Sequence, residues 1–385
     1  MARLGDICEV LNGFAFRSEQ YVDKGFRIIR ISNVQKGYIE DSAPVFYPLD
    51  SEEAKKYALK EDDLLISLTG NVGRVGILSS ELLPATLNQR VACIRIKNES
   101  QLTKCYLFNF LNSDYFETKC IESAKGVAQK NMSTEWLKDY EIPLISLEEQ
   151  RRIAALLDRV SDLIAKRRAQ LDKLDLLIKA RFVEMFGDQY TNPKGWETGT
   201  IRDVVSEVRY GTSRPAVEGG AYKYLRMGNI TFDGHLDLND LKYIDIPKSE
   251  IEKCIVKKGD VLFNRTNSKE LVGKTCVFDI DESMVIAGYI IRVRVNERVL
   301  PDYLSAVLNS QYGKRTLADM CKAIVGQANI NAQELQSIAI LIPPIELQRQ
   351  FSQFVNQVNK LASNINCGLE KLETLKKALI QQYFG

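Results

Sequence analysis

The sequence predicts an α+β protein: two mixed α/β domains joined by two long helices that form an antiparallel intramolecular coiled coil, the whole a pseudo-twofold tandem repeat. Three observations predict it. The chain repeats itself at an offset of 198 residues, a heptad seam recurs behind each copy, and short strand-like runs fill the front of each copy. The predicted boundaries are a first domain over 1–146, a helix over 147–187, a linker over 188–195, a second domain over 196–344 and a helix over 345–385.

The repeat is clearest at the ends of the module. Leu147-Glu148-Glu149-Gln150-Arg151 meets Ile345-Glu346-Leu347-Gln348-Arg349, Leu171-Asp172-Lys173-Leu174 meets Leu369-Glu370-Lys371-Leu372, and Phe186-Gly187 meets Phe384-Gly385. Upstream the match needs small gaps but persists: Arg30-Ile31-Ser32-Asn33-Val34 answers Arg226-Met227-Gly228-Asn229-Ile230, and Asp63-Leu64-Leu65-Ile66 answers Asp260-Val261-Leu262-Phe263. A period of this length is a domain-scale duplication, since solenoid repeats run to only about 20–50 residues.

The heptad seam follows from spacing. In the first copy Ile153, Leu157, Val160, Ile164, Arg167, Leu171, Leu174, Ile178, Arg181 and Met185 step by four and three, and most are apolar. The second copy places Phe351, Val355, Val358, Ala362, Ile365, Leu369, Leu372, Lys376, Leu379 and Tyr383 at the same steps. Such a helix spans about 60 Å at 1.5 Å per residue. Gly187 is a natural stop, and Pro193 follows it in a polar stretch. Because the second domain starts soon after the first helix ends, and the second helix leaves directly from that domain, antiparallel pairing is the favoured orientation.

Within each domain, Phe26 to Ile31, Asp63 to Ser67 and Val91 to Ile96 have strand character, as do Val261 to Phe263 and the alternating run Ile290 to Val295. Tyr106 to Phe116 and Tyr303 to Tyr312 read as helices. Several connecting segments combine glycine, amides, hydroxyls and a basic residue. The candidate ligand-facing residues are Arg17 and Ser18; Thr69, Asn71 and Arg74; and Gln129, Lys130 and Asn131 in the first copy. The second copy offers Thr212, Ser213 and Arg214; Asn264, Arg265, Asn267 and Lys269; and Gln327 and Asn329. Glycine lets a backbone approach phosphates, Arg and Lys neutralise them, and Arg, Asn or Gln can pair with guanine or adenine edges. Ordinary surface turns draw on the same residue types.

Composition excludes several classes. The net charge is +2. Residues 1–146 carry 18 basic and 20 acidic side chains and residues 196–343 carry 19 of each, so neither domain is basic overall. Any DNA-facing surface must come from sorting charge onto one face. The 8 cysteines are scattered with no CxxC pair, and the one histidine, His235, sits in a turn-like run, so reduced, mostly buried thiols and no metal site are expected. No apolar run is long enough to span a membrane, and Met1 to Asp6 lacks the apolar core of a signal peptide; a cytoplasmic protein is expected.

Catalytic motifs are missing. Gly273-Lys274-Thr275 resembles the end of a P-loop, but Ser268 stands where the motif needs its first glycine. There is no GxSxG, HExxH, zinc-deaminase signature or Rossmann GxGxxG after a strand, and no Asn/Asp-Pro-Pro-Tyr/Phe run of the kind amino-methyltransferases use. The adjacent carboxylates Asp62 and Asp63 have no evident acid–base partner. No catalytic residue and no bound cofactor are expected on this chain.

The chain resembles the specificity subunit of type I restriction-modification systems. The resemblance is carried by the repeated domain ends, Tyr140-Glu141-Ile142-Pro143-Leu144-Ile145-Ser146-Leu147-Glu148-Glu149-Gln150 and Ile340-Leu341-Ile342-Pro343-Pro344-Ile345-Glu346-Leu347-Gln348. Phe186-Gly187-Asp188 leading to Asn192-Pro193-Lys194-Gly195-Trp196, and the closing Phe384-Gly385, carry it as well. Ile145-Ser146 in the first copy departs from the Pro-Pro of the second. The resemblance implies that each domain is a target recognition domain for one half of a bipartite DNA sequence. It implies that the helices set the spacer and dock two modification (methyltransferase) subunits, with restriction subunits completing the assembly on double-stranded DNA. S-adenosylmethionine, ATP and Mg would then sit on partner subunits. A methylation-only system, or a coiled-coil scaffold with two protein-binding domains, remains an alternative at this point.

Overall fold

The computed structural model describes residues 1–124, 131–268, 271–321 and 328–384. The chain divides into two units. Unit 1 is Met1–Arg168 with Cys367–Gly385, and unit 2 is Ala169–Asn366. The division cuts through both long helices, Leu147–Phe186 and Ile345–Phe384, each 40 residues long. Each unit therefore holds one globular domain, the start of the helix that leaves it and the end of the other helix.

Unit 1 is built on a five-stranded sheet ordered Cys8–Asn12, Val91–Ile96, Leu64–Ser67, Val75–Ile77 and Gly37–Tyr38. A three-stranded sheet of Phe46–Tyr47, Phe26–Ile29 and Ala85–Leu87 accompanies it. Unit 2 has two four-stranded sheets. One runs Val205–Tyr210, Ile290–Val295, Val261–Asn264, Thr275–Val277; the other runs Lys242–Ile244, Tyr222–Leu225, Met284–Ile286, Ile255–Val256. The copies match in register: Glu9 lies opposite Arg95 in one sheet, and Glu207 opposite Arg294 in the other. In each unit a short ribbon ties the start of the domain to its end, Ala2–Arg3 with Glu141–Ile142 and Glu197–Thr200 with Ala339–Ile342.

One sequence expectation changes, and one strand holds a buried charge. The helical runs after the sheets are each two helices, Lys104–Leu111 then Asp114–Ser123, and Pro301–Asn309 then Gln311–Met320. A serine breaks each run. Ser113 Oγ accepts from Phe116 N–H at 3.1 Å and Ser310 Oγ from Gly313 N–H at 3.2 Å, and each starts a new helix as its N-cap. The alternation of Ile290–Val295 marks a strand, yet the face opposite Ile291 and Val293 is not open to water. Arg292 on that face is fully buried. Its guanidinium donates to Glu207 at 2.7 Å and to the carbonyls of Ile255 and Glu252. A buried charge persists only when paired and hydrogen-bonded in this way. Burial pushes Glu207 upward, but Arg209, Arg292 and Arg294 outweigh it and hold the carboxyl below the usual range. The first copy has Cys93 at the equivalent place.

Asp63 also gains a partner that the sequence did not disclose. Arg95 grips both its oxygens at 2.7 and 2.6 Å, and Arg294 repeats this on Asp260 at 2.8 and 3.3 Å. The carboxylates are buried strand-entry anchors. Lys274 is likewise structural, donating to the Met227 carbonyl at 2.8 Å. Six cysteines are buried and none of the eight is joined in a disulfide; burial pushes Cys8 and Cys276 up to about 12.

The long helices keep the seam inward. Ile153, Leu157, Val160, Ile164, Phe351, Val355, Val358 and Ile365 are buried, and Leu171, Leu174, Ile178, Leu369, Leu372 and Leu379 are half-buried. Off-seam Leu163, Leu176, Leu177, Leu361 and Leu375 are exposed. Within unit 1 the helices run antiparallel, with Arg152 on Tyr383 and Arg168 on Glu373 at 2.7 Å. Within unit 2, Phe182 and Phe186 meet Phe351 and Arg181 lies over Phe354, again antiparallel.

The repeated module ends have a packing reason. Gln150 is fully buried: its Oε1 accepts from Thr103 N–H at 2.8 Å, and its Nε2 donates to the Gln101 and Ile145 carbonyls. Gln348 does the same with Leu300 N–H, Arg298 and Pro343. One amide thus fastens each helix start to its own domain. The phenylalanines that close each module, Phe186 and Phe384, fill cores. Phe384 sits against Tyr106 and Phe110 at 5.4 and 5.2 Å, and Phe186 against Tyr303 and Phe351 at 4.8 and 5.4 Å. Gly187 turns the chain at φ +79°, and Trp196 Nε1 donates to the Phe186 carbonyl at 2.9 Å. The 188–195 segment is therefore a folded helix stop.

His235 tightens its turn against the first long helix, its Nε2 lying 2.9 Å from Asp175. The hydrogen bond to Asp175 raises its pKa above the ordinary histidine value of 6.5, against the opposing pull of burial. A raised folded-state value means stability that is fully present below that ordinary value and lost as pH rises through the folded value. With the ring about half exposed, solvent screening limits this to about 1 kcal/mol or less. We expect Asp175→Asn to flatten this part of the stability–pH curve, as read by urea unfolding between pH 5 and pH 8 (about one unit or more either side of the ordinary histidine value); an unchanged slope would show that the pair contributes nothing.

Candidate nucleic-acid interface

The same four segments meet in each domain, locked by the same backbone hydrogen bonds. In unit 1, Gln89 N–H donates to the Phe14 carbonyl at 3.0 Å, Leu68 N–H to Arg90 at 3.0 Å, and Met132 N–H to Leu68 at 2.8 Å. In unit 2, Gly288 N–H donates to Thr212 at 2.7 Å, Arg265 N–H to Tyr289 at 2.9 Å, and Ile330 N–H to Arg265 at 2.9 Å. A side-chain pair repeats too. Thr69 Oγ1 donates to Asn131 Oδ1 at 2.9 Å, and Thr266 Oγ1 to Asn329 Oδ1 at 3.3 Å. Three loops singled out in each copy thus converge, together with a fourth segment that the sequence reading passed over.

The glycines act differently from expectation. A Cβ on Gly13 would lie 2.1 Å from the Asn88 carbonyl oxygen, and one on Gly211 would lie 2.2 Å from that of Ile286. These glycines let the first loop press against the chain's own backbone, which leaves no need to invoke phosphate approach. Gly73 and Gly273, at φ +86° and +81°, turn the second loop against Cys120 and Leu317.

The candidate side chains separate into two groups. Asn71, Asn131, Ser213 and Asn329 are exposed, and Arg265 and Asn267 are half-buried, on the converged segments. Others are turned to structure. Asn264 is fully buried, and its amide, with oxygen and nitrogen assigned to fit the surrounding network, bonds to Thr266 and Asn267 of its own loop and to the Tyr289 carbonyl of the neighbouring turn. It is therefore not presented to a ligand. Thr69 is buried, Thr212 is half-buried with its hydroxyl accepting from Arg214 N–H, and Arg74 donates to Gln35 at 2.8 Å. Each first-loop arginine lies in the field of an equivalent carboxylate, Arg214 in direct contact with it. Glu250 grips Arg214 at 3.0 and 2.7 Å, and Arg17 helps to lower the pKa of Glu53 behind that residue's own hydrogen bonds to its backbone and Ser51. Ser18 donates to Glu19. Gln129, Lys130, Lys269 and Gln327 lie outside the described residues.

The family model for the type I restriction modification DNA specificity domain matches residues 1–174 and 193–374. The chain belongs to this family. It is 21% identical over 408 residues to the type I restriction enzyme EcoKI specificity subunit of Escherichia coli K12, a match covering 100% of this chain and 88% of that one. It is 21% identical over 407 residues to the StySPI specificity subunit of Salmonella potsdam, with the same coverage, 100% and 88%. In fold it is similar to the type I S subunit of M. genitalium, with a TM-score of 0.57 at 14% identity over 100% of this chain and 95% of that one. A chain from a study of complex assembly and conformational transition in the type I R-M system gives a TM-score of 0.56 at 20% identity, covering 99% and 96%. This specificity subunit is non-catalytic, and its role is DNA target recognition.

The segment missed in this specificity subunit is the turn from Ala85–Leu87 to Val91–Ile96 in one copy, with exposed Gln89 and Arg90, and from Met284–Ile286 to Ile290–Val295 in the other, with half-buried Gly288 and exposed Tyr289. Asn88-Gln89-Arg90 satisfies the amide-plus-cation criterion applied to the other loops, and only its lack of glycine hid it. Tyr210 was missed too. It is 42% exposed, its hydroxyl accepts from Ala332 N–H at 2.8 Å, and Arg265 lies over its ring at 4.8 Å. Among the described residues no cluster of three or more His, Cys, Asp or Glu could hold a metal ion, and no helix is long and apolar enough to cross a membrane.

Proposed function

We propose that each domain reads one half of a bipartite double-stranded DNA target through its four-segment face. The observation that carries this is the identical backbone frame in both copies, bearing different side chains: exposed Gln89 and Arg90 in one, half-buried Arg265 and exposed Tyr289 in the other. A fixed frame with variable side chains is what direct readout of base edges requires, because phosphate contacts only position the protein. The two long helices, whose off-seam leucines stay exposed, would set the separation of the half-sites and dock two modification subunits. Restriction subunits would complete a cytoplasmic complex. S-adenosylmethionine, ATP and Mg would be bound by those partners, and near-neutral domains are workable if partners share the phosphate contacts. Sequencing of modified bases in a host expressing the chain with its partner subunits tests this. One bipartite motif with modified adenines in both halves is expected; modification without a motif would contradict it.

A further inference from the structure

The hydrogen-bonded rung at the centre of each face carries one arginine, but from opposite segments. In unit 1 the rung pairs Leu68 with Arg90; in unit 2 it pairs Arg265 with Tyr289. Leu68 is buried, so Arg90 is the polar side chain that rung offers. Its backbone is held on both sides, the carbonyl by Leu68 N–H and the N–H by Asn88 Oδ1 at 3.2 Å, while its side chain is exposed. Arg265 is held by other means. Its guanidinium rests on the Tyr210 ring at 4.8 Å, and its buried Nε has no hydrogen-bond partner.

Several other arginines of the two domains are already engaged, Arg74 by the Gln35 amide among them. Arg214 is gripped by Glu250, Arg226 by Asp240 and Arg27 by Asp41, so their charge is neutralised within the chain. Among the described residues neither Arg90 nor Arg265 forms an ion pair with a carboxylate. A guanidinium that is positioned but not neutralised keeps its planar fork of donors for an external acceptor pair. Guanine is the base whose major-groove edge offers two adjacent acceptors, O6 and N7, matched to that fork.

Resting on the DNA-reading role proposed above, we infer that Arg90 and Arg265 are the specificity-determining residues of their domains, each reading a guanine in its own half-site. Because the arginines enter from opposite segments of one frame, the guanine falls at a different place relative to the frame in each half.

The test uses the complete chain assembled with its modification subunits. A random-sequence duplex library defines the wild-type motif, and competition binding then compares that duplex with its single-base-pair variants. For Arg90→Ala, discrimination at one G·C pair of one half-site falls roughly 5- to 150-fold, with the other half-site unchanged. Arg265→Gln does the same in the other half. Arg90→Lys and Arg265→Lys keep the charge but lose the fork, so each also loses most of that discrimination. Thermal unfolding confirms that the variants fold, and the lysine variants keep the test open if Arg265→Gln does not. A uniform weakening on all duplexes with a salt slope reduced by about 1, rescued by lysine, would make these residues phosphate contacts and overturn the inference. An unchanged motif would overturn it as well. If the wild-type complex selects no motif at all, the DNA-reading role itself has failed.

Discussion

Truncating Phe186 to alanine is expected to destabilise unit 2 by about 3–5 kcal/mol. The ring is fully buried in a cluster with Phe182, Tyr303 and Phe351. Its ring neighbours come from three separate helices, Leu147–Phe186, Pro301–Asn309 and Ile345–Phe384, so truncation leaves a void among them. Phe384→Ala is its counterpart in unit 1, where the ring packs edge-on to Tyr106 and Phe110. Each core is completed by a helix that starts from the other domain. Packing of the helix ends therefore governs the fold of the domains as well as the seam. Urea unfolding followed by fluorescence and circular dichroism reads the effect. Leu176→Ala, exposed and off the seam, serves as control and should change stability by about 0.5 kcal/mol or less. A loss below about 1 kcal/mol for Phe186→Ala would show that the ring does not fill the core as described.

Replacing residues 196–343 with the corresponding domain of another specificity subunit should change one half of the recognised sequence and leave the other half intact. The expected effect on the exchanged half is complete, because each mismatched base pair costs about 1–3 kcal/mol and several positions change together. The junctions suit the exchange. Trp196 caps the first long helix, and Gln348 fastens the second to the domain through the Leu300 N–H and the Arg298 and Pro343 carbonyls. A donor must therefore supply main-chain partners for Gln348 and an aromatic equivalent to Tyr303 for Phe186. Selection of duplexes by the hybrid complex reads the outcome, and a change in both halves would contradict independent readers.

The helices were legible because a heptad seam is a one-dimensional signal: spacing alone placed Ile153, Leu157 and Val355 inside. The five strands named from the sequence were legible to within a residue or two, whereas Cys8–Asn12, Val205–Tyr210 and Tyr222–Leu225 carry no comparable signal. What spacing does not report is which segments meet. Leu68, Arg90 and Met132 lie far apart in the chain and are joined by backbone atoms, which carry no residue code. The arginines mislead in both directions. Arg214 looks like a ligand-facing cation until Glu250, 36 residues away, is seen to hold it, and Arg292 looks like a solvated strand residue until Glu207 is seen beneath it. Arg90 was overlooked because its turn has no glycine. Glycine drew the eye to Gly13 and Gly211, where the reason was contact with their own backbone. The frame was readable from repetition, while the face depends on contacts that only the folded chain brings together.

The most direct test of one frame carrying two separate readers is selection from a random duplex library by the chain assembled with its modification subunits. A single enriched motif made of two unlike half-sites separated by a fixed, non-specific spacer is expected. A single uninterrupted motif, or no enrichment over the starting library, would contradict it.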